Sequence, residues 1–202
     1  MHILVLSVQG RSCGSDSARP VRILSVGRAV GKKGYDDLLA ALALLPKELA
    51  WRFTHIGGGA LLPALRRQAA ALGLAERIEW HGAQPQEAVL AAYREADLFV
   101  LASRVEPDGD RDGLPNVLME AQSQRLACLA SATPSIRELI EDGVTGALTP
   151  PADPPRLAAS LAALIGDPGR RARLAAAGEA RLRRDFGMEA GIERLAAKFA
   201  DR

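Results

Sequence analysis

Short apolar runs alternate along this chain with longer segments in which apolar residues recur every three or four positions. The runs read as buried strands and the longer segments as amphipathic helices. Residues 2–8, His2-Ile3-Leu4-Val5-Leu6-Ser7-Val8, form the first run. Val21 to Val26 form the second, across a polar, glycine- and serine-rich connector from Gln9 to Pro20. A basic turn, Gly27-Arg28-Ala29-Val30-Gly31-Lys32-Lys33-Gly34, then leads into a helix carrying Leu38, Leu39, Leu42 and Leu45. Trp51 to Ile56 predicts the next strand, followed by Gly57-Gly58-Gly59 and a helix to about Leu72. Arg77 to Trp80 is a short strand, and His81 to Pro85 turns into a helix ending near Ala96. Asp97 to Ala102 is a strongly apolar strand that empties into a long acidic loop, Ser103 to Asp112.

Leu126 to Ala130 and Gly146 to Leu148 predict two more strands, with a short helix, Ser135 to Ile140, between them. From Asp153 onward the chain is alanine- and arginine-rich helix, broken at Asp167-Pro168-Gly169 and near Phe186-Gly187. This alternation predicts an α/β fold: a Rossmann-like three-layer α/β/α domain around a mainly parallel sheet of about six strands. The domain is expected over residues 21–202, with residues 1–20 a remnant strand and linker. Ligands of such sheets bind beyond the carboxyl ends of the strands, and Arg28, Gly57, Gly82 and Asp112 all follow strands.

Composition changes this picture little. A chain of 202 residues fits one large domain or two very small ones. A formal charge of +2 is too near balance to argue for nucleic acid or an acidic membrane surface, and 4% aromatics argues against base-stacking platforms. Cys13 and Cys128 lie far apart without ligand spacing, which reads as reduced thiols in a cytoplasmic protein. The opening apolar run is too short to span a membrane and lacks the basic start and cleavage site of a signal peptide. A soluble protein is expected.

The richest chemistry lies in Asp112-Gly113-Leu114-Pro115-Asn116-Val117-Leu118-Met119-Glu120, which reads as a loop feeding a helix start. Pro115 suits the first helical position. The N–H groups of Asn116 and Val117 would then be unpaired first-turn donors aimed at an anion. Asp112 and Glu120 are eight residues apart, a little over two turns, so they can reach the two ends of one polar ligand. Arg28 and Lys33 frame a glycine-containing turn that suits a diphosphate, or equally a solvated basic turn capping a helix. The residues alone leave both open.

Other motifs fail on spacing. Gly57-Gly58-Gly59 lacks the third glycine of a dinucleotide fingerprint, because position 62 is Leu62. Asp108-Gly109-Asp110-Arg111-Asp112-Gly113 matches the first half of a calcium loop, but the closing glutamate should fall at Met119 and Glu120 is one place late. Asp108-x-Asp110 alone is too short to define a metal site. Both aspartates read as a solvated acidic loop, and no metal is expected. His2, His55 and His81 are scattered without a nucleophile, so a hydrolytic triad is not supported.

Five segments in order carry a resemblance: Val26-Gly27-Arg28 with Lys33-Gly34, then His55 to Gly59, Ala96 to Val100, Asp112 to Glu120, and Glu138 to Gly146. Together they resemble the nucleotide-sugar-binding C-terminal domain of family-4 retaining glycosyltransferases with the GT-B fold, over roughly residues 21–200. The aspartate-rich loop with Asn116 to Gln124 is most similar to the colanic-acid type that builds bacterial exopolysaccharides. The resemblance implies that Arg28 and Lys33 hold the donor diphosphate and that Glu120 binds the ribose hydroxyls. Asp112, standing where the family's E-x7-E signature has its first glutamate, would contact the donor sugar. Asp112, Arg28 and Lys33 are the catalytic candidates. Gly27, Gly113 and Leu114 would line the donor site, Asn116 and Val117 would meet the phosphates, and Gln84 would lie near the base.

The same resemblance implies hexosyl transfer with retention from a nucleoside-diphosphate sugar to a glycan or lipid-linked acceptor, without a cofactor. The acceptor and a catalytic histidine would come from an N-terminal domain, so this chain is expected to be inactive or weak alone. Peripheral membrane association is expected only of the full enzyme, and the C-terminal helix around Ile192, Leu195 and Phe199 is a candidate dimer contact. The alternatives are a nucleotide-sugar epimerase of similar architecture and a non-catalytic nucleotide-binding module. Two positions depart from the family: Arg125 stands where glycine is usual, and Thr133 to Arg137 replaces a glycine-richer stretch.

Overall fold

The computed structural model describes residues 19–186. The strand expected at residues 2–8, Cys13, and Ile192, Leu195 and Phe199 lie outside the described residues. Strands β1 (Val21–Val26), β2 (Trp51–Ile56) and β3 (Ile78–Trp80) come first, with helices α1 (Tyr35–Ala43) and α2 (Leu62–Ala71) between them. Helix α3 (Gln86–Glu95) leads to β4 (Leu98–Leu101), then α4 (Asn116–Ser123), β5 (Ala127–Ser131), α5 (Pro134–Leu139) and β6 (Ala147–Thr149). Helices α6 (Pro154–Gly166) and α7 (Pro168–Phe186) complete the described chain.

All six strands are parallel, in the order β3-β2-β1-β4-β5-β6. Strands β1, β2, β4, β5 and β6 feed both layers, because successive side chains point to opposite faces. At the edge, β3 packs Ile78 and Trp80 into one layer and leaves Glu79 exposed. On β4, Leu98 and Val100 join Leu38, Leu65 and Leu161 of α1, α2 and α6. Phe99 and Leu101 join Tyr93, Leu118 and Ile136 of α3, α4 and α5. Helix α7 closes one side, with Leu174 in the first layer and Leu182 in the second. Burial on both faces explains why β4 and β5 read as continuous apolar runs rather than alternating ones. This is the Rossmann-like α/β fold that the alternation predicted.

Two positions differ from the sequence reading or sharpen it. Pro115 does not open α4: its backbone is extended (φ −79°, ψ 111°) and the helix starts at Asn116. Its carbonyl still accepts from the Leu118 N–H at 3.0 Å, so Pro115 caps the helix from just outside it. Arg125 adopts left-handed geometry with φ 54°. Its N–H donates to the Gln122 carbonyl and that of Leu126 to the Ala121 carbonyl, the Schellman pair that glycine usually completes.

His55, passed over in the sequence, is a buried strut. Its Nε2 donates to the Gly27 carbonyl at 3.1 Å, and its ring meets Tyr35 edge-on with centroids 4.5 Å apart. Burial holds the imidazole neutral and pushes its pKa down to about 4.

The unfolded chain binds the His55 proton below about pH 6.5, while the folded chain does so only near pH 4. The stability that neutral His55 contributes is therefore complete above pH 6.5 and lost as pH falls towards 4, by on the order of 3 kcal/mol. Urea unfolding across that range should show the loss, and His55→Leu should flatten it. At Arg125, whose side chain is exposed, the partner Glu179 is largely buried but also pairs with Arg183, so relief of left-handed strain dominates and Arg125→Gly should raise stability by about 0.5–1 kcal/mol. A fall would show the ion pair to be the stronger effect.

Candidate functional site

The strand order reverses between β1 and β4, and an open parallel sheet forms its crevice at that reversal. The loops leaving β1, β2 and β3 are stitched side by side. Gly27 N–H donates to the Ile56 carbonyl at 2.9 Å, Ala29 N–H to that of Gly58 at 2.8 Å, and Gly57 N–H to that of Gly82 at 2.7 Å. A side chain at Gly57 would collide with the Gly27 carbonyl, so this row cannot close around any other residue.

After β1 the chain makes one tight turn, Gly31–Lys33, and Gly34 reverses it with φ 59°. A Cβ at Gly34 would run into the Ala102 carbonyl just past β4. Glycine there lets the β1 loop touch the β4 exit, and the Arg104 N–H seals the contact on the Lys32 carbonyl at 2.8 Å.

That approach delivers Lys33 to Asp112. Lys33 Nζ donates to Asp112 Oδ2 at 2.8 Å, with the two side chains only 13% and 12% exposed. Ser103 Oγ donates to the same oxygen at 2.8 Å, and Ser135 Oγ donates to the Asp112 backbone carbonyl at 3.1 Å. The structure thus pairs two residues whose expected roles were separate, and it adds two serines that the sequence reading missed. Ser135 comes from the stretch that departs from the family pattern. Arg28 is exposed at the same rim.

Beyond Asp112, Gly113 is exposed and Leu114 half-buried. The first N–H groups of α4, on Asn116 and Val117, have no acceptor among the described residues. One turn further along, Glu120 is partly buried, which raises its carboxyl above the usual range, and Tyr93 donates to its Oε2 at 3.1 Å. Gln84 is exposed in the turn after β3 and bonds its own turn, donating to the His81 carbonyl at 2.6 Å. That turn reaches the Gly57 loop through Gly82, so it borders the row of loops rather than the Lys33–Asp112 pair.

The acidic loop is more than a solvated one. Asp108 and Asp110 are exposed as expected, but Lys32 Nζ donates to Asp110 Oδ1 at 2.9 Å and holds that carboxyl below its usual range. Arg104 binds Asp36, Asp37 and Glu106 at 2.9, 2.8 and 3.1 Å, tying the loop to the start of α1. The partners of Arg104 on α1 are distant in sequence, and nothing in the acidic loop distinguishes it from Arg111 as the residue that reaches them. Among the described residues no group of three or more His, Cys, Asp and Glu is arranged to hold a metal ion. No helix among them is long and apolar enough to cross a membrane.

These features define a doubly wound α/β domain whose crevice carries cations, free N–H groups and a carboxylate along one rim. A profile of the family described as Glycosyl transferases group 1 matches residues 16–181, and the chain belongs to that family. It is 35% identical over 144 residues to the putative colanic acid biosynthesis glycosyltransferase WcaL of Salmonella typhimurium, covering 71% of this chain and 36% of that one. It superposes on Anabaena HepE in complex with UDP with a TM-score of 0.78 at 24% identity, covering 92% of this chain and 50% of that one. With the C-terminal domain of the group 1 family protein LpcC from Francisella tularensis the TM-score is 0.73 at 24% identity, covering 86% and 90%. Both superpositions establish the fold, that of one half of a GT-B protein. The chain covers only 36–44% of the first curated relatives it matches.

Removing one partner of a nearly buried ion pair leaves the other charge uncompensated. Asp112→Ala should therefore destabilise the fold by about 3 kcal/mol in urea unfolding. Adding Lys33→Met should recover most of that loss. A single variant as stable as the parent would show that Lys33 is already hydrated.

Proposed function

We propose that this chain is the donor-binding half of a retaining glycosyltransferase. It would serve transfer of a hexosyl group from a nucleoside-diphosphate sugar to a glycan or lipid-linked acceptor in bacterial polysaccharide biosynthesis. The observation that carries this reading is the single rim at the strand-order reversal. There Lys33, Asp112, the open N–H groups of α4 and Glu120 follow one another. Membership in the group 1 family favours a transferase over an epimerase or a non-catalytic module.

Each group has a role that its chemistry fits. Arg28 and Lys33 are cations of different reach for a diphosphate, and Gly27 lies on the loop that carries them. The N–H groups of Asn116 and Val117 add the positive end of a helix. Charge building on the departing diphosphate oxygen is met by these fixed donors, without a metal. Glu120 accepts from the ribose hydroxyls. Asp112 Oδ2 is engaged by Lys33 and Ser103, so Oδ1 is the oxygen left for the sugar. Gly113 and Leu114 face the sugar, and the turn at Gln84 borders the base. The acceptor and the catalytic histidine belong to an N-terminal half, and donor turnover by this chain alone is weak. The reaction is cytoplasmic, in keeping with the buried free thiol of Cys128.

Thermal unfolding with UDP, GDP or ADP checks the reading. At least one should raise the melting temperature, and Glu120→Ala should weaken that nucleotide about tenfold. No response to any of the three would overturn the donor site. Donor-sugar hydrolysis by the isolated chain at intact-enzyme rates would overturn the half-enzyme assignment.

A further inference from the structure

Glu120 and the first turn of α4 are held from behind by one side chain on a neighbouring helix. Tyr93, on α3, is fully buried, with its ring against Phe99 at a centroid separation of 5.6 Å. Its hydroxyl lies 3.1 Å from Glu120 Oε2 and 3.2 Å from the Val117 carbonyl. The next residue, Arg94, donates from Nε to Gln124 Oε1 at 3.1 Å, at the far end of α4. Two consecutive residues of α3 therefore grip α4 at both ends.

A phenol wedged in a core has few rotamers, so its hydroxyl is a fixed point. A glutamate has three rotatable bonds, and without a partner its carboxylate swings or turns towards solvent. With Oε2 engaged by Tyr93, Oε1 has no protein partner among the described residues. The second contact, to Val117, belongs to the same turn whose N–H groups are open.

We propose that Tyr93 is a positioning residue for nucleotide recognition. It orients the Glu120 carboxylate so that Oε1 meets the ribose hydroxyls, and it fixes that carboxylate relative to the helix turn facing the diphosphate. This inference rests on the donor-site reading above. Partial burial raises the Glu120 carboxyl, and the Tyr93 hydrogen bond counters that by favouring the charged acceptor.

Isothermal calorimetry tests it with UDP, GDP and ADP, their 2′-deoxy counterparts and inorganic pyrophosphate, on the parent chain and Tyr93→Phe. For the nucleotide that the parent binds, Tyr93→Phe should weaken the ribonucleotide about tenfold. It should shrink the preference for ribose over deoxyribose to within twofold of unity. Pyrophosphate affinity should stay within twofold of the parent. An unchanged ribose preference overturns the proposal, as does an equal loss for all three ligand types, which marks a general loosening of the site. Failure of the parent to bind any diphosphate sinks the donor site and this inference with it, an outcome separate from the other two.

Should Tyr93→Phe fail to fold, fluorination of the phenol supplies a second reading. The chain has two tyrosines. Incorporating 3-fluorotyrosine into a Tyr35→Phe background, read against the same variant without fluorine, confines the change to the phenol at position 93. The ribose preference should then shift by at least twofold, and no shift overturns the proposal.

Discussion

The contact of Gly34 with the Ala102 carbonyl is the constraint on which the site depends. It sets how closely the loop after β1 approaches the exit of β4, at the place where the strand order reverses. The ion pairs that bridge these two loops are downstream of that distance. Lys33 reaches Asp112, Lys32 reaches Asp110, and Arg104 reaches back to Asp36 and Asp37 because the two loops touch. A larger residue at position 34 would both strain the left-handed backbone and push the loops apart.

The charges at this rim form two groups with different consequences. The outer group, Arg104 with its three carboxylates and Lys32 with Asp110, is solvent-screened and worth little per pair. Its importance is geometric, since it converts an acidic loop into a fixed edge. The inner pair, Lys33 with Asp112, is nearly dry, so its two charges are strongly coupled. A diphosphate arriving there would compete with Asp112 for one ammonium group. The cation at this position therefore cannot be considered apart from its carboxylate.

Much of the fold was legible because burial on two faces imprints long apolar runs on the strands. Val21–Val26 and Trp51–Ile56 were bounded correctly for that reason, and the breaks at Asp167 and Pro168 separate α6 from α7 as expected. Errors fell at element ends. Proline suits the first helical position, yet the chain arrives at Pro115 extended and α4 starts one residue later. Only the resemblance singles out Arg125, and its left-handed backbone explains why glycine is usual there.

The site was legible only in part. The sequence by itself determined the layered α/β domain, the glycine-bearing turns after its strands, and the two carboxylates flanking a helix start. These are local properties of composition and spacing. Only the tertiary structure decided that Lys33 closes on Asp112, that Ser103 and Ser135 brace it, and that Tyr93 stands behind Glu120. Those contacts join residues up to 79 positions apart, across different strands and helices. Their pairing is set by how the sheet orders its strands, and no pattern within a single element carries that order.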